Sequence, residues 1–288
     1  MNLNKFISFG CNALDKQKLG LKRLLVSAVA VAGLSTGAYS ATVDVQLGLL
    51  VDVSGSVDDM EFALQRDAYV NAFTDADVIS AIQSGSEGSI AVSFMYWSDS
   101  GQQEQLTSAS GNGSNGWWEV SDLASGTAFA NAISALARPF SSFTAPGSAI
   151  NAIVNGVTDV TTFAQNGFDS ARSVIDVSGD GPQNSGASTS SARNNALAND
   201  IDVLNGIVIG GEASVFDFYV DNIQGGTDSF TLAADNFVDF ENALERKIIA
   251  EVTGTPPTNV VPLPAPALML LTGLVGLGGV RKLRRKAA

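Results

Sequence analysis

Residues 43 to 53 read VDVQLGLLVDV, an apolar run rich in β-formers, and after Val57 the spacing turns helical through Met60, Leu64, Tyr69 and Phe73. Strand therefore leads directly to helix, and the rest of the chain repeats the alternation. The segment 89–97 (SIAVSFMYW) predicts a second strand and 117–120 a short third. The turn-rich stretch between them suggests an antiparallel hairpin at a sheet edge. Helices are predicted near 124–137 and 149–163, a strand at 173–178, a helix at 190–198 and a strand at 203–209. A helix at 215–222, a strand at 229–232 and a last helix at 237–252 complete the pass. Such alternation implies an α/β fold, a doubly wound, mostly parallel sheet with helices on both faces and one antiparallel edge strand. No internal repeat interrupts it, and one domain over 42–252 accounts for the whole pattern.

In a doubly wound sheet, ligands bind where strands end at their carboxyl edge. The first strand ends in Asp52-Val53-Ser54-Gly55-Ser56, and the strand from Ser173 runs into Asp176-Val177-Ser178-Gly179-Asp180-Gly181. Strand ends of one parallel sheet share an edge, so Asp180 can face Asp52 across the crevice. Two carboxylates and two hydroxyls there make a hard, all-oxygen site suited to magnesium, manganese or calcium, not to zinc or copper. A blander reading is open: Ser54 and Ser56 cap the following helix, and Asp180 stabilises a glycine turn.

Asp52-x-Ser54-x-Ser56 followed by Ser178-Gly179-Asp180-Gly181 resembles a von Willebrand factor A (vWA) domain with its metal-ion-dependent adhesion site. More narrowly, VDVSGSVDDMEFALQRDAY, the Met95-Tyr96-Trp97 strand and VIDVSGDG resemble an uncharacterised bacterial subfamily of such domains. The resemblance implies a divalent cation held by Asp52, Ser54, Ser56 and Asp180, with a hydroxyl from an intermediate loop. The family threonine usually follows a glycine just before a helix, which assigns the role to Ser148 of Pro146-Gly147-Ser148, with Thr144 as the substitute. The implied action is recognition, in which an acidic group of a protein or matrix partner completes the metal shell.

Other marked residues carry plainer expectations. Asp58, Asp59 and Glu61 suit the first turn of a helix, where the macrodipole favours carboxylates. Trp97, Trp117 and Trp118 are expected in the core or at the sheet edge. Asp176, set between Ile175 and Val177, needs a partner if buried.

The two ends differ from the domain. After Lys22 and Arg23 the chain is apolar through LLVSAVAVAGL and closes on small residues at Ala38-Tyr39-Ser40-Ala41, the order of a signal peptide, although 24–34 could also form a buried helix. The expected leader covers 1–41, and its polar lead, with Cys11, is long. The expected linker, 253–259, contains Pro256 and Pro257, which forbid helix continuation. The stretch from Ala265 to Val280 is apolar and uncharged, can be extended by Val260 to Leu263, and is followed by Arg281, Lys282, Arg284, Arg285 and Lys286, a membrane segment with a basic stop. Val261-Pro262-Leu263-Pro264-Ala265 before that stretch resembles the VPLPA variant of PEP-CTERM sorting signals. That resemblance implies an exosortase as processing partner and a Gram-negative source, with the protein inner-membrane anchored or carried on to the surface; an ordinary single-span anchor is the alternative.

The chain has no histidine and only one cysteine, Cys11, so Ser-His-Asp triads, His-ligated zinc sites and cysteine nucleophiles are excluded from the domain. Between the basic ends, residues 42–280 carry 6 basic and 28 acidic groups, a net of −22. So acidic a surface repels nucleic acid and favours cations or basic partners. The expected protein is not an enzyme but an exported recognition module. Alternatives are a structural component of a matrix or export assembly whose metal serves stability, and, further off, a metal-assisted hydrolase.

Overall fold

The computed structural model describes residues 40–257. Residues 1–39 of the expected leader and the C-terminal segment from Val260, with its VPLPA motif and basic stop, lie outside them. Among the described residues no helix is long and apolar enough to cross a membrane.

Strand β1 (Ala41–Val43) precedes β2 (Val45–Asp52), all eight residues of which are buried. Period-two alternation sends Leu47, Leu49 and Val51 into one apolar layer and Leu50 into the other. Gly48 faces the second layer, where a Cβ would meet Ile153 and Phe163 at 3.1 Å, so its missing side chain lets that layer close on the sheet. Helix α1 (Asp59–Ala72) follows, then α2 (Ala76–Gln83), which the sequence reading did not separate, and β3 (Ile90–Trp97), again fully buried.

Two short segments, β4 (Gln103–Gln105) and β5 (Trp118–Val120), both pair antiparallel with β3. The predicted hairpin edge is therefore built of two pieces, with the turn-rich 107–117 stretch between them. Next come α3 (Leu123–Ser134), α4 (Pro146–Asn155), β6 (Phe168–Ser170) and β7 (Ser173–Gly179). Helix α4 starts and stops earlier than predicted. Pro146 suits its first turn, and Gly156, at φ 81°, leaves the helical region that Asn155 still occupies. The chain closes with α5 (Thr189–Leu197), β8 (Val203–Ile209), α6 (Ala213–Asn222), β9 (Gly225–Gly226), β10 (Thr231–Ala234) and α7 (Phe237–Thr253).

The main sheet runs β10-β8-β7-β2-β3-β4, parallel from β10 to β3, with β9 antiparallel to β8; β1 and β6 form a separate parallel pair. Helices α1, α2, α3 and α7 contribute to one apolar layer, and α4, α5 and α6 to the other. Trp97, Trp117 and Trp118 lie inside these layers, at 0–5% exposure. Chain order moves outward from β2 to β3 and then returns to the other side of β2 for β7, β8 and β10. The order reverses between β2 and β7, and that switch point leaves a crevice at their carboxyl ends.

Candidate metal centre

Asp52 is the last residue of β2, and Asp180 directly follows β7, so both lie at the switch point. The loop from Val53 to Val57 carries Ser54 and Ser56 between β2 and α1. The cap of α1 is not a serine: Asp58 accepts from Met60 and Glu61 N–H, and Glu61 answers by accepting from Asp58 N–H at 2.7 Å. A complete capping box leaves the two serine hydroxyls free for each other and for Asp180.

The oxygens form a connected set. Ser54 Oγ and Ser56 Oγ are 3.2 Å apart, Ser56 Oγ donates to Asp180 Oδ1 at 2.7 Å, and Thr144 Oγ1 donates to Ser54 Oγ at 3.3 Å. Asp52 Oδ1 accepts from Ser54 N–H at 2.7 Å, while its Oδ2 is buried with no hydrogen-bond partner. Burial first, and the charge of Asp180 second, push the Asp52 carboxyl up to about 7. Asp180 is raised as well, chiefly by burial.

The loop that presents these groups is held through its backbone. Buried Gln65 donates to Asp52 O at 2.9 Å, Arg138 Nη2 donates to the carbonyls of Val53 and Ser54 at 3.0 and 2.6 Å, and Gly55 N–H donates to Ser142 O at 2.7 Å. Nothing in the sequence marked Gln65 or Arg138. Gly179 sets the spacing beneath the site, since a Cβ there would stand 2.7 Å from Asp52 Oδ2 and 2.6 Å from the hydroxyl of buried Tyr219.

The assignment of the loop hydroxyl to Ser148 is corrected. Ser148 lies in the first turn of α4, and its hydroxyl accepts from Ala187 N–H at 3.0 Å instead of joining the set. Thr144, two residues before that helix and 5% exposed, is the group that reaches Ser54. Asn184 fixes it by accepting from Thr144 N–H at 2.8 Å and donating to its hydroxyl at 3.4 Å.

Among the described residues no three of His, Cys, Asp or Glu gather as a metal site. The donors are two carboxylates and three hydroxyls, all hard oxygen, with one carboxylate oxygen buried and unpaired. A divalent cation suits both facts. If Thr144 belongs to that set, Thr144→Val is expected to lower magnesium affinity about ten- to a hundredfold and Ser148→Ala to leave it unchanged, as read by calorimetric titration.

The family described as "Protein of unknown function (DUF1194)" matches residues 42–256. No curated protein matches the chain. Solved structures that are similar include proximal thread matrix protein 1 from the mussel byssus, in a form with a zinc-occupied MIDAS motif, at 14% identity and a TM-score of 0.53. A second is a von Willebrand factor type A structure from Catenulispora acidiphila, at 14% identity and a TM-score of 0.51. Each alignment covers 74% of this chain, but only 49% of the mussel protein and 43% of the Catenulispora protein. At this identity the likeness establishes the fold as that of a vWA domain.

Proposed function

Because the chain belongs to the family described as "Protein of unknown function (DUF1194)" and carries this oxygen-lined centre, we propose that it is an exported binding module working through a divalent cation. Asp52, Ser54, Ser56, Thr144 and Asp180 hold the cation, and an acidic group of a protein or matrix partner binds to it. The observation that carries this reading is the unpaired, buried Oδ2 of Asp52, placed among hydroxyls at the sheet's switch point. A buried carboxylate without a partner is costly, and such cost is common where a ligand supplies what the fold withholds.

When bound, the cation supplies Lewis acidity toward an incoming carboxylate, which neutral hydroxyl donors preserve better than further carboxylates. The protein's own part is to fix the donors: Arg138, Gln65 and Ser142 hold the loop, and Asn184 holds Thr144. Magnesium is the first choice for such donors, with manganese or calcium next. The zinc in the mussel structure is a reason to include zinc in any titration. The action proposed is binding and not catalysis: the neutral hydroxyls leave the cation open to a partner's carboxylate. The leader and the VPLPA-type segment would place the domain outside the cytoplasm, anchored at the inner membrane or sorted outward by an exosortase.

The test is binding of the labelled chain to the outer surface of the source cells in magnesium, in excess chelator, and with Asp180→Ala. Binding lost in the last two conditions supports the reading. Binding indifferent to both rejects it, and cation-dependent stability without any binding would assign the metal a structural role.

A further inference from the structure

On the side of the sheet covered by α7, well inside the protein, three charged side chains meet. Lys247 and Glu251 of α7 and Asp176 of β7 all have 0% side-chain exposure. Lys247 Nζ lies 2.7 Å from Asp176 Oδ1 and also contacts Glu251 Oε1. The contact with Asp176 lacks hydrogen-bond angles, and neither Asp176 oxygen has a hydrogen-bond partner. The amine therefore rests against the carboxyl group away from the directions an ordinary ion pair prefers. Glu251 is fixed from its other side by Asn205, whose amide donates to Oε1 at 3.0 Å and whose carbonyl takes Phe230 N–H at 3.0 Å. The Phe230 ring lies 5.7 Å from Nζ, and Phe240, Leu244 and Ile248 belong to the same apolar layer.

Two carboxylates and one ammonium sealed from water leave an uncompensated charge that burial penalises strongly. Burial, then the charge of Glu251, push the Asp176 carboxyl up to about 7 despite the opposing Lys247, so a proton is readily held there. An amine touching a protonated carboxyl group, with a second carboxylate on the amine, is the arrangement that amide formation requires. Held pairs of this kind gain effective concentrations of about 10⁵ M or more when the reacting atoms stand ~3–3.5 Å apart.

We propose that Lys247 and Asp176 become joined by an intramolecular amide bond, with Glu251 as the proton carrier. This inference is independent of the metal centre. A proton passes from the ammonium to Asp176, and the neutral Nζ attacks Cγ, forming the C–N bond. Glu251 takes the surplus proton from nitrogen and delivers it to the departing hydroxyl. The C–O bond breaks, one water leaves, and Glu251 returns to its starting form. No oxidant, reductant or co-reactant enters. The dry surroundings favour the step because it removes two buried charges and expels a water that the interior does not stabilise. The product ties β7, which leads into Asp180, covalently to α7, the last helix before the linker, in a domain that has no cysteine for a disulfide.

The test is peptide mass mapping of the purified full chain after complete unfolding and trypsin digestion. Cuts at Arg172, Arg193 and Arg246 should release segment 173–193 joined to the segment beginning at Lys247, lighter by one water than their sum and uncut after Lys247. In Glu251→Gln the two should be recovered separately. Segment 173–193 recovered from the wild type only as a free peptide, with cleavage after Lys247, overturns the proposal, as does undiminished linkage in Glu251→Gln.

Discussion

Lys247→Met is expected to destabilise the domain by about 3–5 kcal/mol, because it leaves Asp176 and Glu251 buried together with no cation between them. Methionine keeps most of the length and apolar volume of lysine, so loss of packing contributes little. The expectation holds whether the wild-type pair is ionic or joined, since the variant loses the compensation in one case and the cross-link in the other. The pH dependence identifies the cause. Burial and Glu251 already raise Asp176 above its ordinary 3.8 to about 7, and removing Lys247 removes the influence that lowers it. A carboxyl whose folded pKa is raised contributes stability below the unfolded value and loses it as pH climbs through the folded one. The variant should therefore suffer more at pH 8 than at pH 5, as read by denaturant unfolding at both. An equal loss at both pH values would mean that lost packing or a lost cross-link, not stranded charge, is responsible.

The second large effect has opposite signs in two measurements. Asp52→Asn keeps an oxygen for the Ser54 N–H but removes a fully buried charge whose Oδ2 is unpaired and which lies near Asp180. Without added metal, the variant is expected to be more stable than the wild type by on the order of 2 kcal/mol near pH 8. Its cation affinity should fall about a hundredfold or more, since loss of even an outer partner costs ~10- to 100-fold. A gain in stability coupled to a loss of binding is the mark of a residue retained for its ligand. A purely structural Asp52 would show a loss of stability instead.

What the sequence makes legible is written in local pattern. The apolar runs at 43–53 and 173–178 placed two central strands, and the oxygen residues at their ends placed Asp52, Ser54, Ser56 and Asp180 at one sheet edge. Asp58, Asp59 and Glu61 were legible as carboxylates at a helix start, but the blander reading gave the cap to Ser54 and Ser56, where the structure gives it to Asp58 in a capping box with Glu61. What depended on distant partners was not. The glycine before a helix pointed to Ser148, but α4 begins at Pro146, and the hydroxyl that joins the set is Thr144, held by Asn184 forty residues away in sequence. Arg138 and Gln65 look like ordinary surface residues until they are seen to hold the Ser54 loop. Asp176 was visible as a carboxylate needing a partner, yet its cation lies on α7, in a helix where a lysine ordinarily reads as solvent-facing.

Whether Asp52 and its neighbours hold a divalent cation is decided by calorimetric titration of magnesium, manganese, calcium and zinc into the purified chain, with Asp52→Asn alongside. Saturable binding at one site in the wild type, absent from the variant, is the predicted result. A folded wild type that binds none of the four, or a variant that binds as well as the wild type, would contradict it.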